Sequence, residues 1–161
     1  MNPYTQRILG LLGDRSPVSS LEEMAGRIEA VAAKLIPDGL GRSYAPGKWS
    51  AREILCHLAD IELVIGFRIR QALADDDYRI QPIDEKRWAI RYPSLDAALA
   101  VRSFGVSRQW NLALMRTLNP ADLARPAFHP ERGPEPVEVM IKMLAGHDLN
   151  HLAQLEQIAR A

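Results

Sequence analysis

The chain has 161 residues, of which 47% are hydrophobic and 25% are charged, a composition typical of one globular domain over residues 1–161. Its 20 basic and 20 acidic residues cancel, which argues against a nucleic acid as partner, because nucleic-acid-binding proteins usually carry a basic excess. The single cysteine, Cys56, excludes an internal disulfide. With no signal-peptide pattern and no apolar run of about 18 residues, the chain is expected in the cytoplasm and outside the membrane.

Two helices are predicted in the first part of the chain. The first covers residues 4–12, and the second runs from a cap at Ser19 or Ser20 to about residue 36. Pro37 ends the second helix, because the residue before a proline disfavours the helical conformation.

Ser50 and Glu53 predict the start of the second long helix, because a serine followed three residues later by a glutamate forms a capping box. Apolar periodicity continues to about residue 74. A loop over residues 78–92, with a helical turn at 84–89, leads to the third long helix.

A proline-rich loop separates the last two long helices. The third long helix covers about residues 93–118, with Gly105 as a weak point, and the fourth runs from Pro136 almost to residue 161. No segment shows convincing strand alternation. Four long helices with connections of intermediate length predict an all-α, antiparallel four-helix bundle with short extra helical turns.

Three of the four histidines interrupt the core stripes of predicted helices: His57, His147 and His151. Two of them replace core residues between Leu144 and Leu155, and the third does so between Ile54 and Ile61. Residues four apart on a helix have Cβ atoms about 5–6 Å apart, so two imidazoles can reach one ion. A third imidazole from a facing helix completes an open three-ligand site, the arrangement of catalytic zinc. Imidazole also suits nickel and iron, so the pattern predicts a divalent transition metal without selecting it.

Other side chains have plainer interpretations. Without a metal, the three histidines would form a buried hydrogen-bonded network. His129 lies in a loop and is predicted at the surface or at a pocket rim, not as a ligand. Glu62 is turned away from the stripe and is predicted on the surface, and the three tryptophans, Trp49, Trp88 and Trp110, are assigned to packing.

Three side chains beside the histidines are candidates for a catalytic or supporting role: Asp60, Asp148 and Gln154. The first and the last lie one turn after a histidine, where either can orient a ligand imidazole or a metal-bound water. The Asp of the His-Asp-x-x-His sequence resembles the general base of His-Glu-x-x-His metalloproteases. Its side chain is shorter, and no further ligand follows, which argues against a protease.

Two motifs resemble those of the DinB/YfiT-like superfamily. Residues 48–50 (KWS), 53–55 (EIL) and 57–60 (HLAD) are similar to its second-helix signature, and residues 147–155 (HDLNHLAQL) to its C-terminal signature. The resemblance implies a four-helix bundle with one crossed connection, often dimeric, and nickel or zinc bound by His57, His147 and His151. It also implies a metal-dependent hydrolase or a transferase or isomerase that uses a low-molecular-weight thiol.

The sequence thus predicts a metal-dependent enzyme acting on a small-molecule substrate, with a thiol as a second reactant if the chemistry is transfer. The ion would lower the pKa of a bound water or thiol. The alternative is a non-catalytic bundle that binds a metal, a ligand or a partner. We expect the metal at one end of the bundle, with loops near Pro46 and Pro82 rimming the opening. Zero net charge favours a homodimer.

Overall fold

The computed structural model describes residues 3–36 and 38–161. Within these ranges the α-helices are α1 Pro3–Leu12, α2 Pro17–Leu35, α3 Ala51–Ala74, α4 Glu85–Ala89, α5 Ala97–Met115, α6 Pro120–Leu123 and α7 Val137–Arg160. A 3-10 turn covers Tyr92–Ser94, and the strands β1 Phe128–His129 and β2 Gly133–Pro134 pair as an antiparallel hairpin. The helical fold class is confirmed. None of the helices in the described ranges has the length and apolar character of a membrane span.

Caps determine where the long helices begin. Ser50 caps α3 as predicted, since its side chain accepts from the Glu53 N–H and the Glu53 side chain accepts from the Ser50 N–H. The start predicted for α2 is wrong. Its cap is Ser16, whose side chain accepts from the Ser19 N–H, and Pro17 occupies the first helical position.

The limits of α2 and α5 also differ from the prediction. Pro37, predicted to end α2, lies outside the described residues, and the helix ends at Leu35. Asp96 accepts two backbone N–H bonds and starts α5 later than predicted. Gly105 is not a break in α5. A Cβ there would lie 2.5 Å from Oε1 of Glu29, which is the end of a flexible, exposed side chain.

The four long helices form a bundle in which α2 and α3 each pack against both α5 and α7. Arg52, near the start of α3, bonds the Leu95 carbonyl just before α5, and Glu62, further along α3, bonds Asn111, further along α5. These two helices therefore run parallel. The connection between them, residues 75–96, must return along the bundle, and this is the one crossed connection that the resemblance implies.

The remaining pairs are set by similar contacts. Arg108 of α5 contacts both the Leu21 carbonyl of α2 and the side chain of Asp148 of α7. Further along α2 and α7, Arg27 of α2 bonds Glu156 of α7. The helices α2 and α7 therefore run parallel to each other. The N-terminal helix α1 lies on the outside of α7.

The core consists of two hydrophobic clusters at different levels of the bundle. One contains Ile54 of α3 and Leu155 of α7, and the other contains Ile61 of α3 and Leu144 of α7. The first turns of α3 thus pack beside the last turns of α7, so these helices are antiparallel. The three predicted ligand histidines fall between the clusters. The expectation of a site at one end of the bundle is therefore wrong.

Candidate metal centre

Three imidazoles from two helices meet between the core clusters. His57 of α3 and His147 and His151 of α7 each offer one ring nitrogen, and these atoms lie within 4.8 Å of one another. The Nε2 atoms of His57 and His147 are 2.9 Å apart. All three side chains are buried. The structure thus brings together the three residues that the core stripes had singled out.

Burial keeps these imidazoles neutral. It lowers the pKa of His57 to about 3 and that of His151 to about 4. The pKa of His147 also lies well below its usual value, first because of burial and then because of repulsion from the other two rings. Metal binding requires neutral imidazole. The converging, neutral nitrogens therefore fit a divalent transition ion.

Gln154 orients one of the three rings. Its Oε1 lies 2.8 Å from Nδ1 of His151, and its Nε2 donates to the Tyr44 hydroxyl at 3.3 Å. The hydrogen bond at Nδ1 leaves Nε2 of His151 free to face the other histidines. An acceptor at the outer nitrogen fixes both the tautomer and the ring plane of a metal-binding histidine.

Trp49 packs directly against the histidines. Its ring centroid is 4.8 Å from that of His57 and 6.4 Å from that of His151, with the latter pair stacked. The Tyr92 ring meets Trp49 edge-on, and the Tyr92 hydroxyl donates to Asp60 at 2.8 Å. Trp49 therefore packs as predicted, but its neighbours are the site residues. The carboxylate of Asp60 is held by a tyrosine.

Asp148 belongs to a buried network on the other side of α7. Nη1 of Arg108 lies 2.7 Å from Asp148, and the same guanidinium bonds Glu62, which also accepts from Asn111. Burial raises the pKa of Asp148 to about 6, against the opposing charge of Arg108. This carboxylate is engaged with Arg108, which argues against the general-base role considered for it.

The prediction that Glu62 lies on the surface is wrong, because its side chain is 1% exposed. Its partner Arg108 was not singled out from the sequence, although a signal existed. Arg108 lies four residues from both Phe104 and Leu112, which are buried. A charged residue in a core stripe indicates a buried partner, as the histidines indicate a metal.

A cavity of about 210 Å³ reaches His147 from one side of the bundle. Its lining combines apolar side chains, including Ile61 and Leu144, with polar side chains, several of which come from the connections between helices. His129 lines this cavity and is buried, not at the surface, with Nδ1 accepting from the Glu131 N–H.

The two expected rim loops border different openings. Pro82 lines the cavity at His147, as expected. The loop at Pro46 instead borders a second cavity of about 200 Å³, in which Gly47 and Lys48 face His151. One cavity therefore reaches His147, and the other reaches His151.

The DinB superfamily model matches residues 20–155. The chain is 27% identical over 146 residues to "Putative metal-dependent hydrolase OB0782" of Oceanobacillus iheyensis, covering 89% of this chain and 84% of the relative. It is 26% identical over 150 residues to "Putative metal-dependent hydrolase YfiT" of Bacillus subtilis, covering 89% and 82%.

Two solved structures share the fold. The four-helix bundle of YfiT from Bacillus subtilis has a TM-score of 0.84 at 23% identity and covers 89% of this chain and 84% of that chain. A mycothiol-dependent maleylpyruvate isomerase has a TM-score of 0.73 at 11% identity and covers 96% of this chain and 63% of that chain. With most of its length matched by the family model, the chain belongs to the DinB superfamily.

Proposed function

We propose that the protein is a metal-dependent enzyme in which His57, His147 and His151 bind one divalent transition ion. The observation that carries this proposal is a cluster of three buried, neutral imidazoles, one of which, His147, lines a cavity. A cavity that reaches a ligand leaves room for a substrate beside the ion, which is typical of catalytic sites. Nickel, zinc and iron all suit three imidazoles.

The chain supplies the surroundings of the ion. A bound ion contributes Lewis acidity, which lowers the pKa of a water or thiol beside it. Gln154 fixes the ring of His151, and Trp49 covers one face of the cluster. The apolar side chains of Ile61 and Leu144 in the cavity lining keep bulk water from the substrate.

The substrate is a small molecule and the reaction is hydrolysis or thiol transfer. The names of the relatives support hydrolysis, and the mycothiol-dependent neighbour supports the use of a low-molecular-weight thiol. Two openings at the histidines would suit a second reactant, because each could be occupied by one molecule. The carboxylate of Asp60 is a further candidate for proton transfer, but only if its hydrogen bond from Tyr92 breaks.

The alternative is a non-catalytic bundle in which the ion only stabilises the core or a ligand is merely bound. Activity separates the two. We expect the metal-loaded protein to turn over at least one compound in a panel of esters, amides and thiol acceptors. Inactivity towards the whole panel, with a full metal site, favours the alternative.

Metal content is the direct test of the site. Protein purified without a histidine tag or nickel column should carry about one equivalent of a transition metal, and His147→Ala should lose it. His129→Ala is the matched control, because it removes a second buried histidine from the same cavity. Mass spectrometry of the metals gives the readout. Less than about one-tenth equivalent in the unmodified protein contradicts the proposal.

We also propose that the chain is a single domain, works in the cytoplasm and forms a homodimer. The free thiol of Cys56 is buried and fits a reducing compartment. Exposed apolar side chains on α3 and α5 support self-association, including Phe67 at 60% and Trp110 at 69% exposure. Sedimentation velocity should show a dimer, and Phe67→Glu should weaken it.

A further inference from the structure

The lining of the cavity at His147 includes a buried arginine. Arg68 of α3 is 6% exposed and lines this cavity. Its Nη2 donates to the Gln81 carbonyl at 2.8 Å. In the described part of the chain, no carboxylate oxygen lies within 4.0 Å of its guanidinium nitrogens, so its charge has no ion-pair partner there.

Comparable arginines in this protein are paired. Arg108, which is 0% exposed, contacts Glu62 and Asp148. Arg132, which lines the same cavity as Arg68, is held by Glu135 through both carboxylate oxygens. Pairing is the usual condition for burying a guanidinium, because an unpaired buried charge is unfavourable. The buried charge of Arg68 is therefore the exception that requires an explanation.

The surroundings of Arg68 make its positive charge less favourable, and no contacting carboxylate balances that charge. Burial lowers its pKa, and the nearby charge of Arg132 acts in the same direction. The carboxylates of Glu85 and Glu135 act in the opposite direction from a distance. A bound anion would relieve this arrangement, since the planar guanidinium still has N–H groups to donate.

The position of Arg68 defines the shape of such a ligand. Along α3, Ile61 and Ile65 lie between His57 and Arg68 on the face towards the cavity. The distance from His57 to Arg68 along the helix axis is about 16 Å. A ligand in this cavity therefore meets His147 towards one end, aliphatic side chains in the middle and the guanidinium of Arg68 towards the other end.

We propose that Arg68 binds the carboxylate of a small substrate whose aliphatic part lies against Ile61 and Ile65 and whose reacting group faces His147. This assignment rests on the proposed function, because it uses the histidine end of the cavity as the reacting end. Both a carboxylate and a phosphate can pair bidentately with a guanidinium, but the single unpaired charge of Arg68 matches the single charge of a carboxylate. A second charge would meet the repulsion of Glu85 and Glu131, which line the same cavity.

The test uses hexanoate as the probe, with hexanamide and inorganic phosphate for comparison. Isothermal titration calorimetry is carried out on chelator-treated and on zinc-loaded protein. We expect hexanoate to bind both forms, hexanamide to bind at least about tenfold more weakly, and Arg68→Gln to weaken hexanoate by at least about tenfold. Arg70→Gln is the matched control, because Arg70 lies on the same helix but bonds Asn111 and the Gly66 carbonyl. It should leave hexanoate binding unchanged.

The outcomes separate this proposal from the metal site. Arg68-dependent binding in chelator-treated protein supports the assignment even if no metal binds and the proposed function fails. Equal hexanoate affinities of the unmodified protein and Arg68→Gln overturn it, and leave the metal site untouched. Binding of hexanoate only to the zinc-loaded form, or tighter binding of phosphate than of hexanoate at Arg68, also overturns it.

Stability gives a second readout in case the variant folds poorly. If Arg68 serves a ligand and not the fold, Arg68→Met should keep or raise the melting temperature, because it removes an unpaired buried charge. A lower melting temperature for Arg68→Met than for Arg70→Gln would assign Arg68 a structural role and contradict the proposal.

Discussion

Gln154 is the side chain on which the ring orientation of His151 depends, through the contact between Oε1 and Nδ1 at 2.8 Å. We expect Gln154→Leu to weaken zinc binding about 10- to 100-fold, because the ring loses the acceptor that fixes its tautomer. Competition with a chromogenic chelator measures this affinity. Gln157→Leu, on the same helix but exposed, is the control. Equal zinc affinities for the two variants would show that Gln154 does not orient the ligand.

Arg108 joins α5 to α3 and α7 through Glu62 and Asp148, and all three side chains are buried. Removing the guanidinium leaves two buried carboxylates without an ion-pair partner. Arg108→Met should therefore lower the free energy of unfolding by about 3–5 kcal/mol, measured by urea denaturation of the metal-free protein.

Arg116 provides the comparison for Arg108. Its ion pair with Glu22 is exposed on both sides, so Arg116→Met should cost about 0–1 kcal/mol. If the two variants lost similar amounts of unfolding free energy, the buried network would contribute no more stability than a surface ion pair.

The sequence predicted the three clustered histidines because each occupies a core position in a helical stripe. The same rule applied to charged residues would have found Arg108, between Phe104 and Leu112, and Arg68, three residues after Ile65. The pattern is weaker for arginine than for histidine, because a charged residue on a helix is usually solvated. The pairing of Arg108 with two carboxylates depends on contacts between distant helices. The same is true of the lack of a paired carboxylate at Arg68, and no local sequence pattern contains this information.

The contact of α1 with α7 depends on Gly146. A Cβ at this position would overlap the Ile8 carbonyl of α1. Gly146→Ala should lower the free energy of unfolding by about 1–3 kcal/mol, because one helix must move away from the other. Urea denaturation gives the value.

Gly26 of α2 is the matched glycine for this comparison. It is exposed, and a Cβ there meets nothing within 4 Å. Gly26→Ala should stabilise the protein by about 0.5–1 kcal/mol through the helix propensity of alanine. We expect the two substitutions to change the free energy of unfolding in opposite directions. No change for Gly146→Ala would show that α1 is loosely packed against α7.

Short sequence motifs can predict where a helix begins, but not how the helices are arranged around the bundle. The capping box of Ser50 and Glu53 lies within four residues, and its prediction agrees with the start of α3. The cap of α2 was misassigned, because three serines lie around its start, and Ser16 is the one followed by a proline at the first helical position. The order of the helices around the bundle was not predicted, since all four long helices have an apolar face and nothing local selects its neighbour.

Proton binding by the histidines makes the stability of the whole metal-free protein depend on pH. The unfolded chain binds protons on histidine near pH 6.5, whereas the folded chain does so near pH 3 at His57 and pH 4 at His151. Between these values the unfolded state holds more protons, so the free energy of unfolding should fall as the pH is lowered from about 6.5 to 4.

Asp148 acts in the opposite direction, because burial raises its pKa and the folded state then binds the extra proton. The effect of the histidines is therefore measured as a difference between proteins. A His57→Gln/His151→Gln double variant keeps Asp148 and should show a shallower loss of stability in urea denaturation across this pH range. Identical pH profiles for the two proteins would contradict the assigned protonation states.

The place of α7 in the chain affects how the protein is made. Both α1 and α2 pack against α7, which is the last helix and carries two of the three clustered histidines. During synthesis these contacts of α1 and α2 can therefore form only after α7 has also left the ribosome. Pairing between such distant segments slows folding. The apolar faces of α1 and α2 are accordingly the surfaces that a chaperone would have to cover while the chain grows.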